Sequence, residues 1–179
     1  MTGESVALVD DLNQTIRDVP DFPKPGILFK DITPVLADPV LMQRIIDHLV
    51  ERLAPHDVGV ICGVESRGFI FGTPLAIAMN KPFVLARKPG KLPYEKVRVE
   101  YALEYGTNTL EMHTDSVQPG QRVAIVDDLL ATGGTADATR QLVEELGGTV
   151  ACYAFVIELS FLSGRDRLTP VPCESILTY

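Results

Sequence analysis

Apolar positions along the chain fall into two spacings. Runs of mostly β-branched residues at Val58 to Cys62, Phe83 to Ala86, Val123 to Val126 and Thr149 to Ile157 predict buried strands. Asn108 to Met112 fits a hairpin partner strand, and Ser175 to Thr178 a short last strand. Helical spacing appears elsewhere. Leu8, Leu12 and Ile16, with Val9 beside them, make one face of a helix from Ser5 to Arg17. Met42, Ile45, Ile46, Leu49, Val50 and Leu53 make another, opened by Asp38 as N-cap and Pro39 at the first helical position. An apolar helix follows Gly68 to about Met79, and a further one runs from Ala136 to Leu146, closed by Gly147-Gly148. Asp21 to Pro34 has neither spacing; its prolines and Gly26 predict an irregular connector. Strand, loop and helix recur in that order at Val58 and at Val123, with strands between and after. This predicts an α/β fold: a parallel-centred sheet with helices on both faces.

Composition narrows the picture. A length of 179 residues predicts one domain with a sizeable core. A net charge of −8 argues against nucleic acid as the main partner, and requires a local basic patch or a metal ion wherever an anion binds. The 3 cysteines, Cys62, Cys152 and Cys173, lack metal-ligand spacing and sit in or near apolar runs, which suits free thiols in a reducing compartment. No membrane span or signal peptide is visible, so a cytoplasmic location is expected.

The candidate chemistry centres on Asp127-Asp128-Leu129-Leu130-Ala131-Thr132-Gly133-Gly134-Thr135. Two carboxylates end a strand; a glycine turn then opens a helix. Loop amides and the helix N-terminus converge on one point and suit a phosphate monoester. Gly133 and Gly134 tolerate positive φ, and Thr132 and Thr135 add hydroxyl donors. Carboxylates at a strand's end can accept sugar hydroxyls or hold a hydrated metal. Together these features fit a ribose 5-phosphate. Taken singly, Asp-Asp is also an ordinary strand end and Thr-Gly-Gly-Thr an ordinary turn; the agreement of all the cues favours the site. Gly63-Val64-Glu65-Ser66-Arg67-Gly68 is a second loop between strand and helix. Its glycines have Walker A spacing, but Phe69-Ile70 replaces the Lys-Ser/Thr, so that motif is rejected. Arg87, Lys88 and Lys91, among Pro and Gly, form the basic patch that the acidic chain otherwise lacks; alone, they also read as a solvated loop. His48, His56 and His113 read as surface or capped histidines.

These motifs resemble those of the type I phosphoribosyltransferases, and the Leu129-Leu130-Ala131 variant resembles the adenine-specific branch most closely. The likeness runs from about Asp21 to Ser175. It implies a small N-terminal hood over about 1–37, a flexible lid hairpin over about 87–106, and one phosphoribosyltransferase domain over 1–179. It further implies transfer of the 5-phosphoribosyl group from 5-phosphoribosyl 1-diphosphate to adenine, giving AMP and diphosphate. In that frame Asp127, Asp128, Ala131, Thr132, Gly133, Gly134 and Thr135 would bind the phosphoribosyl group. Glu65, Ser66, Arg67, Gly68, Arg87, Lys88 and Lys91 would bind diphosphate. Leu28, Phe29 and Lys30, within Asp-Phe-Pro-Lys-Pro-Gly-Ile-Leu-Phe-Lys-Asp-Ile, would contact adenine; Lys30 stands where many members have Arg. Glu104 of Leu-Glu-Tyr-Gly would be the catalytic carboxylate, supported by Tyr105. Glu158 to Arg165 resembles a C-terminal run that closes the site. Mg²⁺ would be held mainly by the substrate, with water-mediated contacts to Asp127 and Asp128, and the protein would be a homodimer. The competing readings are another purine base (hypoxanthine, guanine or xanthine) and a phosphoribosyl-diphosphate-sensing regulator, for which this acidic chain offers no nucleic-acid surface.

Overall fold

The computed structural model describes residues 3–102 and 107–179, which form two compact units, Met1–His48 and Leu49–Tyr179. Among the described residues, no helix is long and apolar enough to cross a membrane.

In the first unit, α1 (Gly3–Thr15) turns its expected face inward, with Leu8 and Leu12 buried. It ends before Arg17, where a strand begins. That strand, β1 (Arg17–Pro20), pairs antiparallel with β2 (Leu28–Asp31). This hairpin lies where the composition predicts an irregular connector. The prolines and Gly26 sit mostly in the loop between the strands, where Asp21 Oδ1 accepts the Gly26 amide at 2.8 Å. The strands themselves are four residues long, too short for an alternation to register, and cross-strand ion pairs support them: Lys30–Asp18 at 2.7 Å and Arg17–Asp31 at 3.5 Å. After the short α2 (Thr33–Leu36) comes α3 (Pro39–Leu53), capped by Asp38, whose Oδ1 accepts the Val40 and Leu41 amides at 2.9 and 3.0 Å. Arg44 pairs with Asp11 at 2.5 Å, tying α3 to α1.

The second unit is built on β3 (Val60–Val64), α4 (Gly68–Ala78), β4 (Phe83–Ala86), β5 (Lys96–Ala102), β6 (Thr107–His113), β7 (Arg122–Leu130), α5 (Gly134–Glu145), β8 (Thr149–Glu158), α6 (Gly164–Leu168) and β9 (Cys173–Thr178). Five strands form one parallel sheet in the order β4-β3-β7-β8-β9, while β5 and β6 pair as an antiparallel hairpin. The central strands β3 and β8 are buried on both faces, as a parallel sheet covered by helices requires. Val60, Cys62, Val123, Ile125, Tyr153 and Phe155 share a core with Ala138, Leu142 and Val143 of α5 and Leu110 and Met112 of β6. Helix α4 covers the other face with Phe71 and Leu75, both fully buried. The three cysteines are free, and burial pushes the Cys62 and Cys152 thiols up to about 12, so both stay protonated and inert.

A parallel sheet puts all its strand C-termini on one edge, so the loops after β3, β4 and β7 converge there. One expectation needs correction. Asp127 and Asp128 do not end β7. The strand continues to Leu130 because β8 pairs with it as far as Leu130↔Glu158, whereas β3 pairs only as far as Gly63↔Val126. The last four residues of β7 therefore overhang β3 and form a wall.

Candidate functional site

A cleft of about 310 Å³ opens at this edge. It is lined by Asp127 and Asp128 on the overhang of β7, by the Ala131–Thr135 turn into α5, and by Glu65, Ser66 and Arg67 after β3. Lys88 enters from the loop after β4, and Tyr101, Asn108 and Leu110 from the hairpin.

The Ala131–Thr135 loop has its shape because Gly133 takes φ +78° at the N-cap of α5, a conformation costly for any residue with a Cβ. The first helical bond follows at once, from the Asp137 amide to the Gly133 carbonyl at 2.9 Å. Behind the loop lies Gly164. A Cβ there would strike the Ala131 carbonyl, so the α6 N-terminus packs backbone to backbone against the loop. Arg165 anchors this approach. It donates twice to Glu158, with Nε at 2.9 Å, and once to the Cys173 carbonyl at 2.5 Å. The bond holds the Glu158 carboxyl below the usual range. Thr135 Oγ1 lies 3.3 Å from the Tyr101 hydroxyl, which links the loop to the hairpin.

The carboxylates are electrostatically loaded. Asp128 is 3% exposed and meets Arg67 Nε at 2.9 Å. Burial raises its pKa while Arg67 pulls it down. Asp127 is raised well above the ordinary value by burial and then by Asp128. Its Oδ1 accepts the Asp128 amide at 2.9 Å. Facing them, Glu65 accepts the Lys88 amide at 2.9 Å and pairs with Arg87 Nε at 3.1 Å. Burial opposes its ionisation, but these donors win and its pKa is lowered. Arg87 also donates to the Lys91 carbonyl at 3.2 Å and lies 5.9 Å over the Phe69 ring.

All seven expected phosphoribosyl residues line the cleft, and so do Glu65, Ser66, Arg67 and Lys88. Gly68 is buried at the start of α4, where a Cβ would strike the Val126 carbonyl. Arg87 is turned onto Glu65, and the Lys91 side chain is exposed. Leu28, Phe29 and Lys30 belong to the hairpin of the first unit. There Leu28 is exposed, Phe29 packs edge-on to Phe22 at 5.1 Å, and Lys30 pairs with Asp18. Glu104 and Tyr105 lie outside the described residues. Tyr101, Asn108 and Phe155 are cleft residues that the motifs do not mark. Phe155 pairs with Asp127 across β7 and β8, a register that the sequence does not carry.

No cluster of three or more His, Cys, Asp or Glu among the described residues could hold a metal by itself. Buried Asp128 and half-buried Asp127, side by side in the cleft, do fit Mg²⁺, which takes one or two carboxylates and fills its sphere with water and substrate oxygens.

The cleft thus brings together a carboxylate pair near the end of a strand, a glycine turn on a helix N-terminus and a lysine of the basic loop. The phosphoribosyl transferase domain family matches residues 35–165. Adenine phosphoribosyltransferase of Cytophaga hutchinsonii is 51% identical, covering 99% of both chains. The crystal structure of adenine phosphoribosyltransferase from Thermoanaerobacter pseudethanolicus superposes with a TM-score of 0.93 at 50% identity, covering 96% of this chain and 99% of that one. The Saccharomyces cerevisiae enzyme, complexed with an imino-altritol bisphosphate and adenine, gives a TM-score of 0.90 at 41% identity over 96% of this chain and 99% of its own. The chain belongs to the phosphoribosyltransferase family, and within it to the adenine phosphoribosyltransferases.

Proposed function

We propose that the chain transfers the 5-phosphoribosyl group of 5-phosphoribosyl 1-diphosphate to adenine, releasing AMP and diphosphate. The observation that carries this reading is the meeting, in one cleft, of the Asp127–Asp128 pair with the Ala131–Thr135 turn. The turn amides and the Thr132 and Thr135 hydroxyls hold the 5-phosphate, and this remote binding energy orients the ribose. Asp127 and Asp128 accept the ribose hydroxyls. Ser66, Arg67, Lys88 and Lys91 bind the diphosphate. Glu65 and Arg87 contribute as a pair that holds the basic loop, and Gly68 gives α4 its close approach to β7. Phe29 stacks on adenine, and the Leu28 backbone and Lys30 complete the base contacts.

Adenine N9 forms a bond to ribose C1 as the C1–O bond to diphosphate breaks, with oxocarbenium-like charge at C1. Glu104 takes the proton from purine N7 as general base, and Tyr105 supports it. Asp127 and Asp128 would help the substrate hold Mg²⁺, which would supply charge neutralisation for the leaving diphosphate. Residues 1–37 serve as hood and 87–106 as lid within one phosphoribosyltransferase domain. The protein acts in the cytoplasm as a homodimer; free cysteines, with Cys62 and Cys152 buried, support a reducing compartment.

The test is product formation from adenine, hypoxanthine, guanine and xanthine, each with phosphoribosyl diphosphate and Mg²⁺, in wild type and Glu104→Ala. AMP from adenine alone is expected, with kcat about 10²-fold lower in the variant. Turnover chiefly of an oxopurine would overturn the base assignment, and full activity in the variant would overturn the role of Glu104.

A further inference from the structure

One buried charge has no part in this mechanism. Glu111, on β6, is 2% exposed, yet it sits near a cleft meant for anions. Burying a carboxylate is costly unless donors satisfy it. Its neighbours show which donors do. On the strand ladder Glu111 lies between two arginines: it pairs with Arg98 of β5, and it forms an antiparallel bridge to Arg87 just beyond β4. The bridge has both of its bonds, Arg87 amide to Glu111 carbonyl at 2.9 Å and Glu111 amide to Arg87 carbonyl at 2.7 Å. The side chain then reaches past the bridge. Oε2 accepts the Gly90 amide at 3.2 Å, and Oε1 lies 3.6 Å from Arg98 Nη2. The Arg98 partner is mostly exposed and contributes little. The main-chain bond is different, because it fixes where the loop goes.

The basic loop is thus pinned at two points by two carboxylates. Glu65 holds Arg87 and the Lys88 amide from the β3 side; Glu111 holds Gly90 from the hairpin side. Lys88, which lines the cleft, is held through its own amide at the first pin, two residues before the second at Gly90.

We propose that Glu111 is a positioning residue for the leaving-group subsite: by holding the Gly90 amide it sets the course of residues 87–91 and so keeps Lys88 turned toward the diphosphate. This rests on the reading of the cleft as a phosphoribosyl diphosphate site. Glu111 touches no substrate and acts only through the loop, so its loss falls on one part of the substrate. Affinity for diphosphate drops, while AMP, which has no diphosphate, binds as before.

The experiment measures diphosphate binding (with Mg²⁺) and AMP binding by calorimetry, and KM for phosphoribosyl diphosphate and for adenine, in wild type, Glu111→Ala, Glu111→Gln and Glu111→Asp. Losing one charge-assisted bond is expected to weaken diphosphate binding and raise KM for phosphoribosyl diphosphate about tenfold in Glu111→Ala, with AMP and adenine values within about twofold. Glu111→Gln keeps an acceptor for Gly90 and is expected to recover most of the loss. Glu111→Asp keeps the charge but draws it back by one methylene, and gives the same test in a chain that folds should Glu111→Ala not fold. Unchanged diphosphate binding in Glu111→Ala and Glu111→Asp would overturn the proposal. So would equal losses for AMP, adenine and diphosphate, which mark a merely structural role, or a Glu111→Gln variant as impaired as Glu111→Ala. Calorimetry needs no turnover. A wild type that binds diphosphate but makes no AMP would therefore refute the reaction and leave the role of Glu111 standing.

Discussion

Asp127 and Asp128 sit side by side in a place that penalises both charges. Burial raises each, and Asp128 raises Asp127 further. A carboxyl whose pKa is higher folded than unfolded takes up protons on folding, so its cost is absent in acid and complete above the folded pKa. Asp127→Asn keeps the acceptor for the Asp128 amide and removes the charge. It is expected to stabilise the protein at pH 8 by about 0.5–2 kcal/mol, with the gain vanishing by about pH 4, near the unfolded carboxyl value. Binding of phosphoribosyl diphosphate would fall in the same variant. Thermal unfolding at the two pH values checks this, and an equal shift at both would refute it. The pair is an example of a site that spends stability on function. At this scale the glycine loop from Asp127 to Thr135 was legible because every participant is local in sequence. Glu111 and Tyr101 were not. Neither stands out until the β5–β6 hairpin meets the loop after β4, at Glu111, and the turn into α5, at Tyr101, and those meetings are non-local.

Among the elements, α6 shows how backbone contact alone can shape a site. Its Gly164 lies against the Ala131–Gly133 turn, held there by Arg165 on Glu158. A methyl group at Gly164 has no flexible side chain to displace, only the Ala131 carbonyl. Gly164→Ala is expected to cost about 1–3 kcal/mol of stability through overpacking. It should weaken AMP and phosphoribosyl diphosphate together, since both use the 5-phosphate loop, while diphosphate alone binds as in wild type. Titration of the three ligands distinguishes this pattern from the Glu111 pattern; unchanged AMP binding would refute it. The likeness of Glu158 to Arg165 to a site-closing run pointed to structure, and the packing supplies its form. Elements with long, regular patterns were legible: α3 with its Asp38 cap, α5 closed near Gly147, and the four core strands. The β1–β2 hairpin was not, since four-residue strands flanked by prolines give no period to read. The overhang of β7 was equally hidden, because where a strand ends depends on how far its neighbours run.

At the scale of the whole molecule, the core of the second unit carries one visible flaw. The Tyr153 hydroxyl is a buried side-chain polar atom without a hydrogen-bond partner among the described residues, and the ring stacks on Phe155 at 6.4 Å. Burial pushes its pKa up. Tyr153→Phe removes the desolvated oxygen and keeps the ring, so it is expected to stabilise the protein by about 1 kcal/mol. That is a rise in Tm of about 2–4 °C for a chain of this size. A lower Tm in a calorimetric scan would refute it. The chain carries a net charge of −8 and nonetheless gathers Arg67, Arg87 and Lys88 around one edge of a sheet. The sequence by itself determined the parallel-centred α/β class, the glycine loop between strand and helix, the acidic pair and the positions of the cationic residues, because strand and helix periods and glycine turns are written in neighbouring residues. Only the tertiary structure decided that β7 overhangs β3, that Gly164 backs the glycine loop, and that Glu65 and Glu111 pin the basic loop at two points. Each of these depends on residues far apart in the chain, brought together by strand order and register, which local spacing does not encode.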